Sequence, residues 1–328
     1  MAVVRVSGDG ARDMVARLHG GNGADTRDAL AAIHAACKPG MHGAHNCGAI
    51  SGTPGVVDGL LAAMALHVGE ARVQRSAMWA LRYLLCTNER PAGTVGAVDH
   101  VLAGMAAHVG VAGVQSAGVA ALAALAHNSP VNQQRMGGAG TVDRVLAGMA
   151  AHVGVAGVQK HGLAALAALA HNNQVNKARI GATPGVVDGM LAAMAMHTGK
   201  ARVQQNAVAA LGALASNNQV NQARIGGTSG AVDGILAAMA AHLGGAGVQV
   251  NGMAAIYSLA RHNRANQDLV TATPGAVECL LAGMAAHPGD AGVQTTGLGA
   301  LTSLASNNAS SQQRSAPRLA SCIACWQA

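Results

Sequence analysis

Fifteen histidines, six cysteines and fourteen acidic residues are the groups through which this 328-residue chain could do chemistry. Six histidines recur at 67, 108, 152, 197, 242 and 287. Evenly spaced imidazoles invite a metal reading, but each lies more than forty residues from the next. Packed helices stand about 8–10 Å apart, whereas zinc holds its ligands at about 2 Å. The series is therefore expected to mark helix ends, where an imidazolium meets the negative end of the dipole.

Cys37, His42, His45 and Cys47 sit closer together and could hold zinc, although the spacing fits no finger pattern and a degenerate loop explains it equally. The acidic residues Asp58, Asp99, Asp143, Asp188, Asp233 and Glu278 fall periodically at expected helix starts, so they have a structural explanation. No paired carboxylates, G-x-S-x-G elbow or P-loop stands out, and no catalytic residue, metal or cofactor is assigned. The end of the sequence, Cys325-Trp326-Gln327-Ala328, outlines a prenylation box with Cys322 as a second acylation site. Gln327 stands where an aliphatic residue is wanted and no polybasic segment precedes it, so lipidation at Cys325 is kept only as an alternative to a chain without a membrane anchor. Cys322 and Cys325 also form a C-x-x-C, without the βαβ setting of a redox motif.

The elements that position these groups must be helical. Hydrophobic residues make up 51%, aromatics 1% and Phe is absent, so the core is built from Ala, Leu, Val and Met. Ala, Leu and Met favour helix, while strand formers other than Val are scarce. The net charge of +7 is spread over single Lys and Arg residues with no basic run, and only Trp79, Trp326, Tyr83 and Tyr257 could stack on bases. This combination argues against nucleic acid as a partner. Asp9 and Asp13 argue against a transit peptide, and irregular cysteine spacing suits free thiols in a reducing compartment, so a cytoplasmic and possibly nuclear location is expected. Val101 to Gln134 lacks Asp, Glu, Lys and Arg, yet its His108, Gln115, His127, Asn128, Pro130 and Asn132 would leave polar groups unpaired in lipid, so no membrane span is expected.

The pair Val-Gln recurs with Gln at 74, 115, 159, 204, 249 and 294, and both it and the histidine series step by 41, 44, 45, 45 and 45 residues. Two markers sharing one step define a repeat. Val98–Asn132 matches Val142–Asn176 at 29 of 35 positions. The spacing predicts three helices per unit. Thr183-Pro184-Gly185 should open a second helix, with Thr as cap and Pro in the first turn. A third helix is expected over Ala201–Ala215, burying Val203, Ala207, Leu211 and Leu214. Asn217-Asn218 breaks it, and a short first helix follows over Gln219–Ile225, closed by Gly226-Gly227. Gly118, Gly162, Gly252 and Gly297 replace a small core Ala, which predicts modest stability and a gain on Gly→Ala.

The pattern V-Q-x-x-A-x-x-A-L-x-x-L-A-x-N-N, followed by N-x-x-R-I and G-x-V-x-x-L-L, resembles the armadillo repeat of catenin- and importin-like proteins over residues 50–314. The resemblance implies an all-α, right-handed superhelical solenoid of about six to seven three-helix repeats, whose third helices line a concave groove for extended peptides or partner helices. The expected organisation is a divergent capping repeat over 1–50 and tandem repeats at about 51–95, 96–140, 141–185, 186–230, 231–275 and 276–314, with an irregular tail over 315–328.

Helical phase puts Arg75, Trp79 and Arg82 opposite the buried Val73, Ala77, Leu81 and Leu84, with Tyr83 beside them. The groove set is Arg75, Trp79, Arg82, Tyr83, Lys160, Gln205, Tyr257 and Arg261, with Asn206, Gln249, Asn251, Thr295, Thr296 and Ser303 as further hydrogen-bonding groups. In importin-like members a repeated Trp and Asn clamp a basic peptide; Trp79 and Tyr83 stand at those positions here. Later copies carry Ala120 and Ala124, Ala164 and Ala168, Ala209 and Ala213, Ala254 and Ser258, and Gly299 and Ser303 instead. A non-enzymatic protein-binding scaffold is the leading expectation. A nuclear-import type carrier of basic peptides and a structural component of cilia or cytoskeleton are the alternatives.

Overall fold

A computed structural model describes residues 5–20, 23–40, 42–86, 96–127, 129–138 and 140–306. The tail with Cys322 and Cys325, on which the lipidation and C-x-x-C readings fall, lies outside the described residues. Among the described residues all regular structure is helical. The chain divides into two units, Met1–Ala165 and Leu166–Ala328.

Unit 1 holds α1 (Gly8–His19), α2 (Gly23–Cys37), α3 (Gly43–Ser51), α4 (Val56–Leu66), α5 (Ala71–Leu84), α6 (Ala97–Ala107), α7 (Ala112–Ala126), α8 (Pro130–Gly138), α9 (Thr141–Ala151) and the first part of α10 (Ala156–Ala170). Like elements stack on like: α1, α4, α6 and α9 form one row, and α2, α5 and α7 another. Unit 2 takes the rest of α10 and continues with α11 (Gln174–Ala182), α12 (Val186–Met196), α13 (Ala201–Ala215), α14 (Gln219–Gly227), α15 (Ala231–Ala241), α16 (Ala246–Ala260), α17 (Arg264–Ala272), α18 (Ala276–Ala286) and α19 (Ala291–Ala305). Here first helices α11, α14 and α17, second helices α12, α15 and α18, and third helices α13, α16 and α19 each form a row. Each unit is thus a run of α-solenoid, in which a repeat buries its apolar stripe only by packing against its neighbours.

The third helix α13 spans the residues its periodicity predicts, and Val203, Ala207, Leu211 and Leu214 are all buried. Asn217 closes it at φ 53°, a left-handed conformation that Asn tolerates. Asn218 then caps α14, accepting from the Asn221 backbone N–H at 3.0 Å. The start of the second helix differs from expectation. Thr183 ends α11, its hydroxyl donating to the Arg179 carbonyl at 3.1 Å, and α12 begins only after Gly185 at φ 73°. Gly55, Gly96, Gly140, Gly230 and Gly275 repeat this geometry. The reason is the sharp corner between first and second helices, 89° from α3 to α4 and 80° from α17 to α18, which a residue at positive φ turns and a Thr cap does not.

Both repeat markers serve the framework. Each Gln except the half-buried Gln294 is buried, and in all six Nε2 donates to two carbonyls at the end of the second helix, as Gln204 does to Met194 at 2.8 Å and His197 at 2.9 Å. Gln74, Gln115, Gln159, Gln249 and Gln294 make the same pair of bonds. The histidine carbonyl also accepts a backbone N–H from the following turn, as His197 does from Lys200 at 2.9 Å, so each Gln adds a second bond that ties the third helix to the end of the second. The histidines do end second helices, but four of the rings also stitch repeats together, whereas His67 Nδ1 lies 3.1 Å from Glu70 of its own repeat. Nε2 donates to a carbonyl of the preceding repeat, from His108 to Val68 at 2.8 Å, His152 to Val109 at 2.7 Å, His242 to Thr198 at 2.7 Å and His287 to Leu243 at 2.8 Å. A carbonyl acceptor requires the hydrogen on Nε2, whatever the charge of the ring.

Buried amides add a second stitch in unit 2. Asn221 donates to the Lys177 carbonyl at 2.8 Å and to that of Leu214 at 3.1 Å, and Asn266 repeats this with Gln222 and Leu259. The buried Lys177 ammonium donates to the Ser216 carbonyl at 2.8 Å, with its pKa lowered by desolvation.

The helix-interior glycines overturn the expected gain from Ala. A Cβ on Gly118, Gly162, Gly252 or Gly297 would lie 2.3, 2.5, 2.5 or 2.6 Å from the nearest atom of Met105, Met149, Met239 or Met284. The methionine fills the space that Ala would need, so overpacking outweighs the propensity gain.

Candidate interaction face

The residues most exposed to use lie on the third helices of unit 1. On α5, Val73, Ala77, Leu81 and Leu84 are buried, and this fixes the opposite side outward. Arg75 is exposed there, while Trp79, Arg82 and Tyr83 are half-buried. The half-burial comes from a cluster of rings. His34 of α2 stacks on Trp79 with centroids 6.4 Å apart and on Tyr83 at 6.2 Å; Trp79 and Tyr83 stack at 5.8 Å. On the other side, His161 of α10 meets the Trp79 ring edge-on at 5.3 Å.

Between them lies α7, whose Ser116 hydroxyl is 3.2 Å from His161 Nδ1. The Trp79 position of α7 is taken by the small, buried Ala120. Arg82 places its guanidinium 5.6 Å from the Trp79 centroid and 5.3 Å from that of Tyr83. Each such cation–ring contact is worth about 0.5–1 kcal/mol at an exposed site.

The electrostatics of the cluster follow from burial among cations. His161 is held down to about 3, mainly by desolvation and then by Lys160 and Arg82. His34 is lowered to about 4 by desolvation, then by Lys38 and Arg75. Desolvation also raises the Tyr83 phenol. Both imidazoles are therefore neutral rings at pH 7, set in a frame of positive charge. Ser116 and His161 have the spacing of a nucleophile and a base, but a ring with so low a pKa is a poor proton acceptor at neutral pH. The arrangement is suited to holding apolar, aromatic or anionic groups.

Of the groove set, Arg75, Trp79, Arg82, Tyr83 and Lys160 fall in unit 1. The first four share α5, and half-buried Lys160 adjoins the cluster through His161. Gln205, Tyr257 and Arg261 fall in unit 2. Gln205 accepts from Arg202 at 3.1 Å and packs across Gly247, where a Cβ would come within 2.7 Å of its amide. Tyr257 is half-buried on α16, lies over Gly299 of α19 and has the Arg261 guanidinium 5.7 Å from its ring. Two of the further groups leave the face. Gln249 is fully buried on the ends of α15, and buried Ser303 donates to the Ala300 carbonyl at 2.8 Å. Helical phase missed this because it does not show what packs on a given side; for Gln249 that is α15 of its own repeat.

His34, Ser116 and His161 were not singled out from sequence. A signal existed for His161, which stands two positions after its Gln, in register with Asn206, Asn251 and Thr296. Cys37, Cys47, Cys86 and Cys279 are free, the first two buried, with the Cys47 thiol donating to the Cys37 carbonyl at 3.6 Å. Among the described residues no three His, Cys, Asp or Glu side chains converge as a metal site, and no helix is long and apolar enough to cross a membrane.

No protein family model matches the sequence, and no curated protein matches it. Solved structures do match in fold. One is a chain from the work on a conserved phosphorylation switch that controls the interaction between cadherin and β-catenin. It aligns with a TM-score of 0.69 at 13% identity over 96% of this chain. This chain spans 56% of that one's length. An engineered protein aligns with a TM-score of 0.52 at 16% identity, over 90% of this chain and 99% of its own. At such identities the likeness is one of fold, an all-helical repeat solenoid.

Proposed function

We propose that this chain is a non-enzymatic, armadillo-like scaffold that binds other proteins along its third helices. The observation that carries the reading is the half-exposed Trp79–Tyr83–Arg82 cluster, on a face whose other side is fully committed to the core. Aromatic and Arg residues are enriched at binding hot spots, and the aromatics offer large, rigid contact area at low entropic cost. The fold supports the same reading, since solenoids present extended surfaces, and the matched structure concerns a cadherin–β-catenin interaction. A reducing, cytosolic setting belongs to the proposal and accords with the free thiols at Cys37, Cys47, Cys86 and Cys279.

The test is affinity capture on the immobilised full chain with quantitative mass spectrometry, comparing wild type with Trp79→Ala/Tyr83→Ala. Proteins retained by the wild type and lost by a variant of unchanged helicity are expected. An identical retained set would remove the cluster from the interaction surface.

A further inference from the structure

Beside the rings, between α2 and α5, lies a recess of about 310 Å³. Its apolar floor is made by the buried Leu30 and Val73, and its polar rim by Arg27, Arg72, Arg75, Ser76 and Asp28. Three guanidiniums thus face one carboxylate. Arg27 is engaged by Glu70 at 3.0 Å, but Arg72 and Arg75 are exposed and have no ion-pair partner among the described residues. Two unpaired guanidiniums at one recess set up a local positive potential that selects carboxylate or phosphate oxygens. Lys38, Arg82 and Lys160 extend that potential around the neighbouring rings.

The recess and the rings are continuous along one helix. Arg75 precedes Trp79 by one turn and Tyr83 by two. At about 1.5 Å per residue these offsets measure about 6 and 12 Å along α5. An extended peptide covers those distances in about two to four residues at roughly 3.3 Å each. We propose that this surface takes an acidic extended peptide. A side-chain carboxylate enters the Arg72–Arg75 recess, and an apolar or aromatic residue two to four positions away rests on Trp79 and Tyr83. The inference rests on the scaffold reading and gives the partner its chemical class. It stands opposite to the carriage of basic peptides, which these arginines would repel.

The experiment is fluorescence polarisation with the full chain and a labelled peptide of Ser and Gly bearing two adjacent Glu and, three positions on, one Phe. Saturable binding is expected, weakened about ten-fold or more by Lys for Glu, by Ala for Phe, by Arg72→Gln/Arg75→Gln, and by Trp79→Ala/Tyr83→Ala. Arg75→Lys should retain most of the affinity, and added salt should reduce it. Arg72 and Arg75 are exposed, so their loss should leave the thermal transition in place. No saturable binding, equal binding of the Glu and Lys peptides, or tighter binding of a single-stranded RNA of equal length would overturn the inference. So would an unchanged affinity of the arginine variant. If that variant binds normally while the aromatic variant loses ten-fold, the acidic class falls and the scaffold face survives.

Discussion

The third helices α5 and α16 are built on one plan and dressed for different work. In both, Val and Gln open the buried stripe, and the Gln amide closes the end of the preceding second helix, Gln74 on α4 and Gln249 on α15. The outer sides differ. On α5 the positions carry Arg75, Trp79, Arg82 and Tyr83, joined by His34 and His161 from neighbouring helices. On α16 only Tyr257 is aromatic, and it pairs with a single cation, Arg261. The framework thus repeats while the surface does not, so features shared by both units should govern stability and those confined to unit 1 should govern binding.

The strongest way to break this division is to remove a shared feature. Gln115→Ala in unit 1 and Gln204→Ala in unit 2 each remove two hydrogen bonds between the third helix and the end of the second, at a cost of about 1–3 kcal/mol. Urea unfolding should show similar losses for both; a large loss in one alone would contradict a common framework.

Next comes acidity, which should act through unit 1. The half-buried His161 resists protonation in the folded state, whereas an unfolded histidine takes a proton below about 6.5. The folded chain therefore binds fewer protons, and its stability, full above pH 6.5, is lost as pH falls toward 3. The loss has a maximal slope of about 1.4 kcal/mol per pH unit for this one residue. Lys160 beside it, Arg82 from α5 and Ser116 from α7 face the ring, and the two cations add to the penalty. His161→Gln should reduce the slope between pH 6.5 and 4, with His34, also lowered to about 4, keeping part of it, and an unchanged slope would show that the His161 ring is not held neutral.

Smaller again is overpacking. Gly118→Ala and Gly252→Ala are expected to lower the melting point, costing about 1–2 kcal/mol net, because Met105 and Met239 occupy the added methyl's place. A rise would mean the methionines swing aside at no cost. The smallest effect is that of Arg82→Gln, about 0.5–1 kcal/mol per lost ring contact in stability, with a disproportionate loss of binding.

Much of this plan could be read from the residues. The 45-residue step, the span of α13 and its stripe from Val203 to Leu214 follow from periodicity, because a repeat reports its buried face several times over. The corner at Gly185 was misread since Thr-Pro-Gly fits two local signals, a Thr cap and a left-handed Gly, and only the angle between helices decides between them. Trp79 and Tyr83 could be placed by phase. Their company could not, because His34 and His161 lie far from α5 in sequence and reach it only through stacking of repeats. Gln249 and Ser303 show the converse, since phase marks a side of a helix without telling how much of it a neighbour covers.

The central claim, that a partner docks on the third helices of unit 1, can be read from one residue. The chain has two tryptophans, so Trp326→Phe leaves Trp79 as the sole indole reporter. Titration with the acidic, Phe-bearing peptide should change Trp79 emission saturably, with the same midpoint as polarisation of the labelled peptide. Binding seen by polarisation with Trp79 emission unmoved would place the peptide elsewhere and contradict the account.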